Sequence, residues 1–313
     1  MPRNPVQFQK GMSDSDFDRL YGTEKQCREA LIAWRWPKGF TCPVCGGTKH
    51  SFIETRSLFQ CSACRPQTSL TSGTIFHSTK LSMKTWFRAI YHITQSKGGI
   101  SSLELARRLG VTQDTAWSLS HKIMQVMHER EAQKPLTGRV EMDDAYIGGK
   151  RNGKRGRGSA GKVPFVAAVQ TTDDGKPQRM KLNPVPNFSI SAISKTSASI
   201  LTGDCTVVTD GLACFTAVSQ HGFVHKPLRT SRNKAVQDSV FKWVNTVLGN
   251  VKSAILGTYR AISNKHVPRY LSSFAYRFNR RFSLPDMFAR FVYVALRTPP
   301  MPYRLLKLAE KCA

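Results

Sequence analysis

Two pairs of cysteines carry the clearest chemical signal in the sequence. Cys42 and Cys45 form one C-x-x-C pair, and Cys61 and Cys64 form a second pair after 15 intervening residues. Zn²⁺ takes four ligands at tetrahedral corners, and each C-x-x-C turn presents two sulfurs from one tight knuckle. A redox dithiol would normally occur once, next to a βαβ unit. The spacing therefore predicts a structural four-thiolate zinc ribbon, closed by a hairpin of the segments SFIE and SLFQ.

Two aspartates stand where apolar runs end. Asp143 closes the run VEMD, and Asp210 closes the run CTVVTD. A single aspartate at the end of a strand is most simply a turn former or a helix cap. Two of them on neighbouring strand ends can share divalent metal ions, which is the arrangement used for phosphoryl transfer. We therefore treat this pair as a candidate site for Mg²⁺ or Mn²⁺.

The segment from Ser101 to Ile123 predicts a helix, a turn and a second helix. Ser101 or Ser102 can cap the first helix, Gly110 ends it, and Thr112 can cap the second. In a helix-turn-helix motif the second helix enters the major groove of DNA. An ordinary helical hairpin is the alternative interpretation. If the motif binds DNA, the side chains that face it are Gln113, Asp114, Thr115, Ser118 and Lys122.

The charge balance indicates a polyanionic partner. Lys and Arg outnumber Asp and Glu by 47 to 20, for a formal charge of +27. From residue 211 to the C-terminus, 17 basic residues face only three acidic ones. A basic face kept for solubility is the alternative, although such faces interleave both signs. A Gly-rich segment at 148–162 forms a second basic block, with candidate phosphate contacts at Lys150, Arg151, Lys154, Arg155 and Arg157.

Membrane insertion and secretion are not supported by the sequence. It contains no run of 18 apolar residues, and its first residues lack the apolar core of a signal peptide. We therefore expect a cytoplasmic protein without membrane contact, associated with the nucleoid. In that reducing compartment its eight cysteines are expected not to form disulfides. The four cysteines of the C-x-x-C pairs are expected to bind metal, and Cys27, Cys205, Cys214 and Cys312 to be buried or incidental thiols. No feature points to a small-molecule substrate.

The order of elements predicts an α/β fold in four segments. Residues 1–75 hold a short helix and the ribbon, 76–134 are helical, 139–285 form the catalytic domain, and 286–313 form a basic tail. Within the third segment, five apolar runs predict strands, and the first three are expected to form a meander. Helices are expected at 190–202 and from about 235 onward.

Several motifs together resemble one family. These are QTSLTSGTIF and TKLSMKTWFRAIY after the ribbon, then VEMDDAYIGGK, VVTDG, WVNTVLGNVKSAILGTY, SNKHVPRYL and FAYRFNRR. They resemble the transposases of the bacterial insertion-sequence family numbered 1595, and the match spans nearly the whole chain. The resemblance implies an RNase H-like mixed-sheet catalytic domain with a D-D-E or D-D-N metal triad, preceded by a zinc ribbon and a helix-turn-helix region.

Carried over by motif, the resemblance makes Asp143, Asp210 and Asn245 the three catalytic metal ligands. Asp144 falls where the family usually has a glutamate beside the first ligand. Asn245 departs from the commoner glutamate, and its amide oxygen can still bind Mg²⁺ but adds no charge. Asp238 is the alternative third ligand. Lys252, about two helical turns beyond Asn245, is expected to contact a phosphate near the reaction.

The resemblance implies binding of the element's terminal inverted repeats, metal-dependent strand cleavage and strand transfer into target DNA. Because two ends must be joined, a dimer or a higher oligomer on double-stranded DNA is expected. Backbone phosphates would be held by the loop at 148–162 and by Arg260, Lys265, Arg269, Arg277, Arg280 and Arg281. The alternatives are an inactive, domesticated transposase that acts as a DNA-binding regulator, and an RNase H-like nuclease or resolvase without strand transfer.

Overall fold

The computed structural model describes residues 10–148, 161–228, 240–259 and 262–309. These residues divide into two compact units. The first contains the described parts of 1–96, 102–126 and 282–313. The second contains 97–101 and the described parts of 127–281. The C-terminal residues thus group with the N-terminal ribbon and helices.

The first unit is mainly helical. Its helices are α1 (Asp14–Tyr21), α2 (Glu24–Arg35), α3 (Met83–Gln95), α4 (Ser102–Leu109), α5 (Gln113–Ala132, of which 127–132 belong to the second unit), α9 (Leu284–Ala295) and α10 (Tyr303–Leu308). Its core is aromatic: Phe17, Tyr21, Trp34, Phe87 and Phe288 pack ring against ring. This cluster holds α1, α2, α3 and α9 together.

Side chains close the N-termini of the first helices. Thr23 and Gln26 form a reciprocal capping box at the start of α2. The Glu24 carboxylate accepts the backbone N–H groups of Met83 at 3.0 Å and of Lys84 at 2.9 Å. Since the first N–H groups of a helix have no partner within it, this contact fixes the start of α3 against α2.

A small antiparallel sheet carries the cysteines. Strands β1 (His50–Ile53) and β2 (Leu58–Cys61) pair as the predicted hairpin, with His50 opposite Cys61. A third strand, β3 (Gln67–Ser69), which the sequence pattern did not indicate, pairs with β2. Phe40 and Phe59 pack beneath the hairpin together with Trp36.

The second unit is built on a mixed five-stranded sheet, in agreement with the predicted α/β class. Its strands are β4 (Leu136–Ile147), β5 (Val163–Thr171), β6 (Pro177–Pro184), β7 (Leu201–Thr209) and β8 (Val224–Pro227), in the spatial order β6-β5-β4-β7-β8. The predicted meander is present as the antiparallel strands β4, β5 and β6. Strand β7 is parallel to β4, and β8 is parallel to β7.

Helices cover both faces of this sheet, and the alternation of side chains along β4 separates the two faces. Ala145 and Ile147 belong to the core under α7 (Lys242–Tyr259) and α8 (Val267–Asn279). Val140 and Met142 belong to the opposite core, under α6 (Ile190–Ile200). By the same alternation, Glu141 and Asp143 point to the α7 face.

A buried polar cluster joins the end of α5 to β6 and α8. The Glu131 carboxylate accepts hydrogen bonds from Arg280 at 2.5 Å and Asn279 at 2.7 Å, and the Lys181 ammonium donates to the Glu131 carbonyl. Burial lowers the pKa of Lys181 to about 8. Asn279 also pairs with both backbone groups of Met180 on β6. The cluster therefore fixes three elements through one carboxylate.

No helix in the described parts of the two units combines the length and apolar character needed to cross a membrane.

Glu131→Ala is expected to destabilise the second unit by about 3–5 kcal/mol, because it leaves the largely buried Arg280 guanidinium without its carboxylate. Urea unfolding followed by circular dichroism measures the change. The control is Asp174→Ala, which breaks the exposed ion pair with Lys176 and should cost at most about 1 kcal/mol. Equal effects of the two substitutions would contradict this assignment.

Candidate functional site

The four cysteines converge as the zinc prediction requires. All four Sγ atoms lie within 4.8 Å of one another. The Sγ atoms of Cys42 and Cys64 are 3.6 Å apart, those of Cys45 and Cys61 are 3.6 Å apart, and those of Cys45 and Cys64 are 3.1 Å apart. Four sulfurs each about 2.3 Å from one ion would be only slightly farther apart than this. The donor set and its geometry fit Zn²⁺.

Backbone amides prepare these thiols for a cation. The amide of Cys64 hydrogen-bonds the Cys61 sulfur and is the main reason that the pKa of Cys61 falls to about 6. Amides of the first knuckle likewise lower the pKa of Cys42. The hydrogen bond that the Cys64 thiol donates to the Cys45 sulfur is the main reason that the pKa of Cys64 is raised, and burial adds to it. A bound cation would replace the proton of this thiol.

A second cluster, made of carboxylates, lies in the other unit. One carboxylate oxygen from each of Asp143, Asp144 and Asp210 lies within 4.8 Å of the others. Asp143 and Asp144 are on β4, and Asp210 directly follows β7. The pairing of β4 with β7 ends at Glu141 and Val208, while β4 continues to Ile147. The carboxylates therefore gather where the parallel strand stops and leaves the edge of β4 open.

The turn after β7 fixes the direction of the Asp210 side chain. Gly211 has a φ of +80°, which glycine adopts without strain. The Asp210 carboxylate accepts the backbone N–H of Leu212 at 3.0 Å. Thr209, which is fully buried, exchanges a hydrogen bond with His225 on β8 at 2.9 Å. The strand end is thus held on both sides of the aspartate.

Charge repulsion and burial raise the pKa of Asp143 to about 6. Burial contributes most, and the nearby carboxylates of Asp144 and Asp210 add to it, while Lys252 on α7 partly offsets them. A backbone N–H, that of Asp144, donates to Asp143 at 2.8 Å. Three carboxylates lie close together although they repel one another. Such a cluster suits a hard divalent cation, which prefers oxygen ligands and would neutralise the negative charge. The residues present fit Mg²⁺ or Mn²⁺.

Glu141 ties the strand of Asp143 to the helix of Asn245. Its side chain is 2% exposed, and one oxygen accepts the N–H groups of Trp243 at 3.0 Å and Val244 at 3.1 Å. The other oxygen accepts a hydrogen bond from the Arg139 guanidinium at 2.9 Å. These amides belong to the first turn of α7, where helices favour a negative charge. One carboxylate oxygen therefore holds the start of α7, and the other is engaged by Arg139 of the same strand.

The structure places Asn245 one residue beyond this contact, with its side chain exposed. Lys252 follows seven residues later, so it lies on the same face of α7. The Lys252 charge slightly lowers the pKa of Asp143. Leu248, between the two, is buried in the core together with Ala145 and Ile147. The other candidate third ligand, Asp238, lies outside the described residues.

The candidate DNA-reading side chains differ in accessibility. Thr112 caps α5 by accepting the N–H of Thr115 at 3.3 Å. Gln113 and Asp114 are exposed, whereas Thr115, Ser118 and Lys122 are half-buried. Burial lowers the pKa of Lys122.

The candidate phosphate contacts also separate by exposure. Lys252 and Lys265 are exposed on the second unit. Arg269 is 4% exposed and Arg277 is 7% exposed, and burial lowers the pKa of both guanidinium groups. Arg280 and Arg281 are bound to Glu131 and to backbone carbonyls. Burial therefore argues against the phosphate contacts predicted for Arg269 and Arg277. Lys150, Arg151, Lys154, Arg155, Arg157 and Arg260 lie outside the described residues.

Sequence reasoning missed two members of the site. The sequence pattern places Glu141 within an apolar run, although a carboxylate two residues before Asp143 on the same strand face is a usable signal. The family resemblance gives Asp144 no ligand role, because it stands where the family usually has a glutamate beside the first ligand. Its inclusion in the cluster follows from the open edge of β4, which the sequence did not indicate.

Asp143→Asn should raise the stability of the metal-free protein by about 1–2 kcal/mol at pH 8. Because the pKa of Asp143 is raised from 3.8 to about 6, its contribution to wild-type stability is fully present below pH 3.8 and is lost as the pH rises to about 6, since the folded state must then hold a buried and repelled charge. Asparagine removes that charge, so the advantage should vanish at low pH. Denaturant titrations in EDTA at both pH values measure this difference in stability, and Asp173→Asn, at an exposed aspartate, is the control.

Glu141→Leu should weaken Mn²⁺ binding by about 10–100-fold, the usual effect of losing a residue that orients ligands. Glu141→Gln keeps an acceptor for the two helix amides and should lose less than about tenfold. Isothermal titration calorimetry measures both, with circular dichroism to establish folding. Unchanged Mn²⁺ affinity in a folded leucine variant would exclude a positioning role.

Comparison with known proteins assigns the two clusters to known domains. Residues 22–67, which include the four cysteines, match the family model described as a transposase zinc-ribbon domain. Residues 135–279, which include the three clustered aspartates and Asn245, match the model of the ISXO2-like transposase domain. Together the matched ranges span most of the chain.

One relative and one solved structure illustrate the range of similarity. The chain is 24% identical over 282 residues to a protein of Halobacterium salinarum described as an uncharacterized protein in transposable element ISH50, covering 83% of this chain and 92% of that one. A solved chain of the pre-cleavage Mos1 transpososome is 8% identical to this chain. The match covers 66% of this chain and 77% of the Mos1 chain, and its TM-score of 0.25 is too low to support a shared fold. On the domain matches, the chain belongs to the insertion-sequence transposases of the family numbered 1595.

Proposed function

We propose that this protein binds the terminal inverted repeats of its own insertion sequence, cleaves a DNA strand at each end, and joins the freed 3′-hydroxyl to target DNA. The observation that carries the proposal is the gathering of three carboxylates at the end of a parallel strand, next to the helix that bears Asn245. A mixed sheet with a meander and two parallel strands agrees with an RNase H-like catalytic domain.

Asp143, Asp210 and Asn245 would hold the catalytic ions, and Asp144 would supply the charge that Asn245 lacks. Bound Mg²⁺ or Mn²⁺ would activate the attacking oxygen and stabilise the leaving one. The chain's own task is to hold the scissile phosphate in line with the attacking water or 3′-hydroxyl, so that one site serves both steps. Glu141 would contribute by fixing α7 relative to β4.

DNA would be held by basic residues on the surface of the second unit. Lys252 is suited to the phosphate nearest the reaction, because its charge already acts on Asp143. Lys265 is exposed and suited to a backbone phosphate. Arg260 and the basic residues of 148–162 remain candidates from the sequence.

The ribbon and the segment α4–α5 would recognise the element's ends, with Gln113 as the most accessible candidate for base contact. Zn²⁺ would then be structural, since four thiolates leave no open position. Because two ends must be cut and joined, the active form would be a dimer or a higher oligomer on DNA.

Two other functions would leave different products. A domesticated protein that regulates by binding would hold end DNA without cutting it, and the missing carboxylate at Asn245 is the feature that favours this alternative. A nuclease or resolvase would cut without joining.

Incubation of labelled element-end DNA and target DNA with Mg²⁺ or Mn²⁺ should give both nicked and joined products. Asp143→Ala and Asp210→Ala should lower cleavage by at least about 1,000-fold, since each removes a charged metal ligand, while DNA binding persists. If Asp144 supplies the third carboxylate, Asp144→Ala should lower cleavage more than Asn245→Ala does.

Asp173→Ala, an exposed aspartate on the turn between β5 and β6, is the matched control and should cleave normally. Tight binding by the wild-type protein without any cleavage would favour the regulator. Nicks without joined products would favour the nuclease.

A further inference from the structure

A cavity of about 340 Å³ opens within the first unit, and none of its lining residues belongs to either candidate metal cluster. Its walls are the N-terminal half of α5, the segment 79–81 and the start of α10. The side chains of Asp114, Thr115, Ser118 and Lys122 line it from α5, and Tyr303 lines it from α10. No role has yet been assigned to this space.

The cavity restricts how α5 can contact DNA. A helix that reads the major groove presents its side chains to base edges along an open face. Here Thr115, Ser118 and Lys122 instead share a concave space with segment 79–81 and Tyr303. Gln113 does not line the cavity and stays exposed. The face of α5 that the sequence assigned to the groove is therefore better suited to a group that enters a pocket.

Lys122 gives the cavity a cation suited to an anion. The side chain is half-buried, and burial lowers its pKa. Its Nζ lies 6.0 Å from the ring centre of Trp86, and no carboxylate among the residues described comes within 4.0 Å of it. A partly desolvated ammonium without a carboxylate is stabilised by any anion that reaches it. Lys80 adds a second positive charge at the same cavity.

Tyr303 gives the cavity an aromatic surface. It is 53% exposed, which is high for so large a ring. Trp117 packs edge-on against it, with ring centres 6.3 Å apart, and so fixes its orientation. Exposed aromatic rings beside cations are the usual means of binding an unstacked base, through stacking and phosphate contact together.

The remaining lining groups match the edge of a base. Thr79, Thr115 and Ser118 offer hydroxyl groups, and Asp114 offers an acceptor for an amino group. A volume of about 340 Å³ lies at the lower end of the range for small-molecule sites, about 300–1,000 Å³. One nucleotide is a ligand of this size and polarity, whereas a duplex is too wide to enter.

We propose that this cavity binds one nucleotide displaced from the DNA duplex, with its base on Tyr303 and its phosphate at Lys122. The inference rests on the proposed function, because it takes DNA to be the ligand of the first unit. It gives the segment after the ribbon and the start of α10 a direct part in DNA binding. It also separates two roles on α5, since Gln113 stays available to the paired bases.

The test compares two synthetic duplexes of one sequence, one fully paired and one with a single unpaired nucleotide at its centre. Displacing a base costs a few kcal/mol, which the unpaired nucleotide does not have to overcome. Wild-type protein should therefore bind the second duplex about tenfold more tightly in fluorescence anisotropy titrations. Tyr303→Ala and Lys122→Gln should each reduce this preference to less than about twofold.

The matched controls are Tyr293→Ala and Lys25→Gln, an exposed tyrosine and an exposed lysine of the same unit that do not line the cavity. Both should keep the tenfold preference, and circular dichroism would establish that every variant is folded. Equal wild-type affinity for the two duplexes, or a preference that survives Tyr303→Ala, would overturn the inference while leaving the proposed transposase intact. Failure to bind either duplex would overturn both.

Discussion

The second unit depends on one buried carboxylate, that of Glu141, which lies outside both candidate metal sites. Glu141 satisfies two amides at the start of α7 and a guanidinium from its own strand, so it fixes the helix of Asn245 relative to the strand of Asp143. A metal ligand on a helix is useful only if the helix cannot rotate or slide against the strands that supply the other ligands. The burial of Glu141 at 2% exposure makes this contact costly to break. The attachment of α7 to β4 is therefore made by a residue two positions before Asp143.

Negative charge is scarce in this chain, and three of its 20 acidic residues gather at one point. A protein with a formal charge of +27 has little difficulty approaching DNA, but it repels metal cations over most of its surface. Three aspartates within 4.8 Å create a local exception, at the cost of raising the pKa of Asp143. The ribbon uses a different solution, in which backbone amides stabilise the Cys42 and Cys61 thiolates before any cation arrives. Each site therefore presents negative charge to a metal ion in its own way, through clustered carboxylates in one unit and through amide-stabilised thiolates in the other.

The parts of the molecule that short sequence patterns determine were predictable. Cysteine spacing predicted the sulfur cluster, and apolar runs predicted the five strands, the meander and the helix that begins at Ile190.

The roles of residues that depend on packing between distant parts of the chain were not predictable from the sequence. The burial of Arg269 and Arg277 follows from the position of α8 on the sheet, and nothing within FAYRFNRR distinguishes buried arginines from exposed ones. The participation of Asp144 depends on β7 ending before β4 does, which is a property of strand register. The grouping of 282–309 with the N-terminal helices rests on Phe288 reaching Phe17 and Phe87, far along the chain.

The Asn279 side chain protects an edge strand of the large sheet. Strand β6 lies at that margin, and the Asn279 amide occupies both backbone groups of Met180 with one side chain. An unpaired strand margin is a template on which a strand from another molecule can add. Because Asn279 already pairs with the backbone of Met180 in the middle of β6, a strand from another molecule is less able to pair there. Such protection would matter most in the proposed oligomer on DNA, where several copies of the chain would lie close together.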